Sequence, residues 1–252
     1  MLVRAMSTHS ETRENREFAR EIKFLVPPGR AESIRHWARA RLDPDPHAGG
    51  ATGDIYQISS VYFDTPEFDV YRRTGSYGRA KYRIRRYDDS KKVFLERKLK
   101  SRSMVGKRRL VVKLKELERL VCAGPDRDWP GFWFHRRLEL RGLAPVCQIS
   151  YMRTALITTN EFGLVRLTLD ERLRASRTTE FRFVGWETGT PMTDGQVIVE
   201  MKYRSEMPAV LQELAREFGL VPRPLSKYRL AAAALDLVAE SDCMPAEEME
   251  CA

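Results

Sequence analysis

Three short runs place a glutamate two residues before a lysine: Glu21-Ile22-Lys23, Glu96-Arg97-Lys98 and Glu200-Met201-Lys202. In an extended chain residues i and i+2 point to the same side. Each run therefore presents an acid and a base together. Other alternating positions are equally ionic. Lys81, Arg83 and Arg85 share a face, Lys100 extends the face of Glu96 and Lys98, and Arg166, Thr168, Asp170 and Arg172 share another. The opposite faces carry Ile22 and Phe24, Leu95 and Leu99, Leu167 and Leu169, and Val199 and Met201. Such a set suits a polyanion. Arg forks grip phosphate oxygens in pairs and Lys adds point charge. A carboxylate among those cations suits Mg2+ or Mn2+ bridging to phosphate.

Two arrangements fit the alternation. An antiparallel sheet commonly buries one face and wets the other, and each strand alone is compatible with that. Five such strands together fit a closed barrel with the charges turned inward. The carboxylates then offset part of the positive charge, and the remainder demands an anion, because unpaired buried cations are costly. The charge distribution agrees. Of a net +9, residues 79–115 hold 16 Lys and Arg against 3 Asp and Glu, while residues 239–252 hold five acids and no base. The excess lies in one segment and calls for an anionic partner. RNA-binding sheets display stacking aromatics. Only Tyr87 offers a ring on these faces, so no specific nucleic-acid partner is expected.

Other chemistries lack their residues. The chain has no GxxxxGK[ST], HExxH or GxSxG motif. Its four histidines, His9, His36, His47 and His135, all fall off the charged faces. Cys122, Cys147, Cys243 and Cys251 show no CxxC spacing, so neither a zinc site nor a disulfide framework is expected. No apolar run approaches the roughly 18 residues of a membrane span. No apolar stretch marks the N-terminus as a signal peptide, and a cytoplasmic location is expected.

Alternation and β-branched or aromatic content predict strands over 21–26, 57–64, 79–87, 92–100, 165–172 and 196–203, with weaker signals at 108–115 and 150–158. Helical spacing predicts helices over 30–41, over 209–218 between Pro208 and Gly219, and over 227–238 behind a Ser226 cap. Loops are expected at 44–53 and 124–131. The expected fold class is α+β: an antiparallel β-barrel forming a tunnel, with helices packed outside. A disordered N-terminus (1–15), one domain (16–238) and an acidic flexible tail (239–252) complete the expected organisation.

In order along the chain, REIKFLV, SVYFDTP, KYRIRRY, FLERKLK, YMRTA, RLTLDERL, VIVEMKY and LSKYRLA resemble the triphosphate tunnel metalloenzymes, in particular the polyphosphate polymerase (VTC) domain in its bacterial stand-alone form. The resemblance spans residues 16–237. It implies transfer of the ATP γ-phosphoryl onto a growing polyphosphate chain, with Mn2+ or Mg2+ as cofactor and ATP and polyphosphate or triphosphate as partners. It implies catalytic roles for Lys23, Arg83, Arg85, Lys98 and Arg153. It implies substrate contacts from Lys100, Lys107, Tyr151, Lys202, Ser226 and Lys227, and metal ligation by Glu200. Asp170 matches the family's strand acid. Tyr62 and Asp64 read as a strand end and turn. Ala19 stands where the wider superfamily often has a first glutamate, which favours polymerase over hydrolase. Lys100 stands where eukaryotic members have a histidine. With no membrane helix in the chain, vectorial coupling would need a membrane-protein partner. Two other readings remain open at this level: a triphosphate or NTP hydrolase using the same tunnel, and a non-enzymatic polyphosphate- or RNA-binding module.

Overall fold

The computed structural model describes residues 19–49, 52–101 and 104–238. The segments 1–15 and 239–252, expected to be disordered and flexible, lie outside the described residues. The elements are β1 (Arg20–Val26), α1 (Pro28–Arg39), β2 (Asp43–Pro44), β3 (Ile55–Asp64), α2 (Asp69–Arg72), β4 (Ala80–Tyr87), β5 (Lys92–Ser101) and β6 (Met104–Lys113). They continue with α3 (Phe132–Leu140), β7 (Ala144–Asn160), β8 (Gly163–Arg177), β9 (Thr190–Pro191), β10 (Val197–Tyr203), α4 (Ala209–Glu217) and α5 (Lys227–Ala234).

Eight strands run in the order β1-β10-β8-β7-β3-β4-β5-β6, and the short β2 and β9 pair with β7 and β8. Every pairing is antiparallel. The sheet curls into a tunnel with helices outside, the expected class. Its closure differs from the expected barrel. Among the described residues no backbone ladder joins the end strands β1 and β6. The seam is spanned by side chains instead: Lys98 Nζ on β5 donates to Glu21 Oε2 on β1 at 2.6 Å.

The alternation explains why the sheet curls with its charges inside. Its outward residues build two apolar layers. In one, Phe24, Leu167, Leu169, Val199 and Met201 bury against Ile34, Trp37 and Ala38 of α1 and Leu211 and Leu214 of α4. In the other, Val61, Phe63, Ile84, Leu95 and Ile149 pack with Phe134 and Leu138 of α3 and Ala231 and Ala232 of α5. Each large apolar side chain buried there contributes roughly 1.5–3 kcal/mol, which offsets the cost of an ionic interior. The helices obey local rules. Pro208 precedes α4, and Gly219, at φ 55°, ends it in a left-handed turn. Helix α3 carries no sequence signal strong enough to predict it. Its Phe, Trp and His residues are middling helix formers, and packing of Phe134 and Leu138 stabilises it.

One alternation breaks. A bulge in β8, where Ser150 pairs with Arg174 and Met152 with Glu171, places Arg172 at φ 55°. Arg172 therefore leaves the inner face and lies 4.9 Å from the centre of the Trp186 ring. The expectation that it continues the row of Arg166, Thr168 and Asp170 is corrected by this extra residue.

A cation-lined tunnel as candidate active site

The inward faces enclose a cavity of about 1190 Å3, larger than the roughly 300–1,000 Å3 of most small-molecule sites. Lys23, Arg83, Arg85, Lys98, Lys107, Tyr151, Arg153, Glu200, Lys202, Ser226 and Lys227 all line it. Asp170 lies behind Arg153 and Lys227. The side chain of Lys100 lies outside the described residues. Lys202 has no carboxylate within ion-pair distance among the described residues. Of the described histidines, none lines the cavity.

Glu96 organises one group of cations. It is 1% exposed. Its Oε2 accepts from Arg83 Nε at 2.6 Å and lies 3.9 Å from Arg85 Nε. Its Oε1 lies 2.5 Å from Lys107 Nζ and 3.1 Å from Arg109 Nε. Burial pushes this carboxyl up, but Arg83, Arg85, Lys107 and Arg109 outweigh it and hold it well below the usual range. One negative charge against four positive ones leaves a surplus facing the cavity. Arg83 also donates to Tyr62 Oη at 3.1 Å, and Arg85 to Ser60 Oγ at 3.2 Å.

Asp170 organises a second group. Arg153 meets it through two parallel bonds, and Lys227 Nζ reaches Oδ2 at 2.6 Å. Burial raises the Asp170 carboxyl, and Arg153 and Lys227 more than reverse that. Lys227 heads α5, so this contact seats the helix start in the tunnel. Ser226 caps that helix, accepting from Arg229 N at 3.5 Å, and also accepts from Lys81 Nζ at 3.0 Å. It serves as both cap and cavity residue, the dual use open to a helix N-terminus.

Glu200 is held differently. Burial works against its charge, but Lys23, Lys227, Arg153 and Lys98 keep it ionised, well below the usual carboxylate range. Its nearest ion partner, Lys23 Nζ, stands 3.8 Å away, and Lys23 instead donates to Leu225 O at 3.2 Å. Glu200 thus keeps its oxygens available to the cavity. Across β1 the neighbouring acid, Glu21, feels burial and the charge of Glu200 as upward pushes, and Lys98 outweighs both.

Sequence reasoning gave no role to several residues that the tunnel brings together. Lys81, Glu21, Glu96 and Thr168 stood on the predicted faces, so their signal was present. Burial, together with Lys23, Lys98, Arg73 and Arg229, pushes the Lys81 ammonium down to about 7. Arg73 and Arg223 come from irregular segments, where no periodicity marks them. The expectation that Tyr87 is the only inward ring is corrected. Tyr62 and Tyr151 also line the cavity, but both are buried, with their hydroxyls facing arginines. They offer no free face to a base. Asp64 is structural as expected: it accepts from Tyr228 Oη at 2.5 Å and from the backbone of Thr65, Val70 and Tyr71. Tyr228 in turn stacks on Tyr62 with ring centres 5.6 Å apart.

The fold and cavity together define an antiparallel β-tunnel protein whose interior is ionic and basic. The family model of the VTC domain matches residues 18–236. The chain belongs to the VTC domain family. A putative adenylate cyclase from Bacillus halodurans shares the fold, with a TM-score of 0.51 and 17% identity over 83% of this chain and 94% of that one. A putative adenylyl cyclase from Hippeastrum, described as having a dominant triphosphatase activity, aligns at a TM-score of 0.49 and 17% identity over 91% of this chain and 99% of that one. Comparison with curated proteins returns no match. Among the described residues no helix is long and apolar enough to cross a membrane.

Proposed function

We propose that this protein is a metal-dependent polyphosphate polymerase, transferring the γ-phosphoryl of ATP to the end of a polyphosphate chain inside the tunnel. The observation that carries this reading is the surplus of cations lining the cavity around the buried Glu96, a charge that a phosphate chain would neutralise. Arg83, Arg85, Lys107 and Arg109 would bind the nucleotide phosphates. Lys23, Arg153, Lys227 and Ser226 would align the chain and the transferring group. Phosphoryl transfer asks mainly for in-line positioning and charge neutralisation.

The residues fit a divalent cation. Glu200 is ionised, half-buried and free of a close donor, with Glu21 nearby. Among the described residues no cluster of three or more acidic, His or Cys side chains occurs. One or two carboxylates completed by phosphate oxygens and water is the usual manner of Mg2+ binding. When bound, Mn2+ or Mg2+ would neutralise charge on the phosphate oxygens.

A polyphosphate end is already anionic and needs no general base, and Ala19, standing where the wider superfamily often has a first glutamate, favours polymerase over hydrolase. The test is incubation of the purified protein with ATP and Mn2+, resolving products on a gel and measuring orthophosphate. Long chains are expected. Orthophosphate alone would assign hydrolysis, and polyphosphate binding without turnover would assign a binding module.

A further inference from the structure

Thr168 sits inside the tunnel with a hydroxyl that no described residue satisfies. The residue is 3% exposed and lines the cavity. Its Oγ1 is buried with no hydrogen-bond partner among the described residues. In register it stands opposite Glu200, which stands opposite Lys23, so three strands deliver a threonine, a carboxylate and a lysine in one row. Neighbours on the same face do not bond it: Asp170 is taken up by Arg153 and Lys227, Arg166 donates to Tyr56 and pairs with Asp45, and Glu200, though opposite in register, makes no hydrogen bond to it. An unpaired buried hydroxyl costs stability. A valine would fill the same space and suit a strand equally well, without that cost. In a cavity wall, such an orphan donor is a position where an acceptor from outside the chain would bond.

We propose that Thr168 is a phosphate-binding residue, its hydroxyl donating to a non-bridging oxygen of the phosphoryl group held beside Lys23 and Glu200. The inference rests on the reading of the tunnel as a triphosphate site. It adds a neutral donor to a site otherwise made of cations and carboxylates. A neutral donor fixes orientation through one directed bond, where a lysine attracts from many directions.

The test is calorimetric titration with tripolyphosphate, in EDTA and again with Mn2+, of the wild type, Thr168→Val and Thr168→Ser. Thr168→Val is expected to bind about tenfold or more weakly in both conditions, the size of a lost hydrogen bond to a charged group. Thr168→Ser, which keeps the donor, is expected to stay within about threefold of wild type. Thr168→Val is also expected to melt no lower than wild type, because it removes an unsatisfied group. Unchanged affinity in Thr168→Val overturns the proposal, as does Thr168→Ser binding as weakly as Thr168→Val. Should Thr168→Val not fold, Thr168→Ala replaces it: weakened binding supports the role and wild-type binding overturns it. A wild type that does not bind tripolyphosphate removes the triphosphate reading and Thr168's role with it. A binding wild type with an indifferent Thr168→Val removes only the latter.

Discussion

Arg153 and Asp170 face each other across β7 and β8 in a two-pronged ion pair, Nε to Oδ1 at 2.6 Å and Nη2 to Oδ2 at 2.7 Å. Lys227 shares the same carboxylate. The three groups lock the start of α5 to the tunnel wall and leave one net positive charge. Removing one member of a buried pair typically costs about 3–5 kcal/mol, because the partner keeps its charge. Asp170→Asn is therefore expected to lose about that much stability in urea unfolding in phosphate-free buffer. Saturating tripolyphosphate should restore part of the loss, since a ligand that binds only the folded state stabilises it. Unchanged stability would show that the two cations are not strained by losing their anion.

The free tunnel should become more stable as pH rises through neutrality. Burial and neighbouring cations lower Lys81 from 10.5 to about 7. Burial lowers Lys107, Glu96 opposes it, and the arginines carry it to about 8. Burial raises Tyr87, but Arg85 and Arg109 reverse this and bring it to about 7. In each case the unfolded chain binds more protons than the folded one above pH 7, so unfolding free energy climbs with pH. Burial raises Cys147 from 9.0 to about 12, which works in the opposite direction above pH 9. The expected window of rising stability is thus pH 7 to 9. Melting temperature measured at pH 6.5 and 8.5 should be higher at 8.5, and Lys81→Met should flatten the slope. A bound polyanion should raise the Lys81 pKa again. Titration with tripolyphosphate at pH 8 in two buffers of different ionisation enthalpy should reveal proton uptake that Lys81→Met reduces.

The period-2 pattern was enough to find the tunnel wall and its charged lining. Glu21 with Lys23, Arg83 with Arg85, and Glu200 with Lys202 all emerged from alternation, since apolar residues opposite each charge fix which face turns inward. What the pattern could not supply was pairing. Glu96 and Lys98 look equivalent on one strand. In three dimensions Glu96 is enclosed by four cations, while Lys98 reaches across the seam to Glu21. Those partners lie on other strands, and their distances depend on curl and register. The bulge at Arg172 was equally invisible, because a single arginine in a left-handed conformation carries no local sequence signal. Arg73 and Arg223 enter from irregular segments, placed by contacts rather than by period.

The Glu21–Lys98 pair separates two roles for Lys98. Both side chains are partly exposed, 17% and 36%, and exposed ion pairs are typically worth about 0.2–1 kcal/mol. Lys98→Met is thus expected to lower stability by less than about 1 kcal/mol. If Lys98 also grips phosphate, the same variant should bind tripolyphosphate about tenfold more weakly, as expected for a lost charge-assisted contact. Both measurements on one variant decide the matter. A stability loss with unchanged affinity would confine Lys98 to the seam.

Glu200→Gln addresses the metal. The substitution keeps shape and removes the charge that Lys23, Lys227, Arg153 and Lys98 hold in place. Because Glu200 makes no close ion pair, at 3.8 Å from Lys23, its loss should disturb the fold less than Asp170→Asn. Turnover of ATP should fall to background. Binding of Mn2+ in the presence of tripolyphosphate, followed by electron paramagnetic resonance, should weaken by at least about 10–100-fold, the loss typical of removing even an outer-shell partner of a metal ligand. Tripolyphosphate alone, in EDTA, should bind as well as or better than in wild type, since a negative charge beside the phosphates is gone. Wild-type Mn2+ affinity in this variant would move the metal elsewhere in the tunnel, with Glu21 the next carboxylate to test.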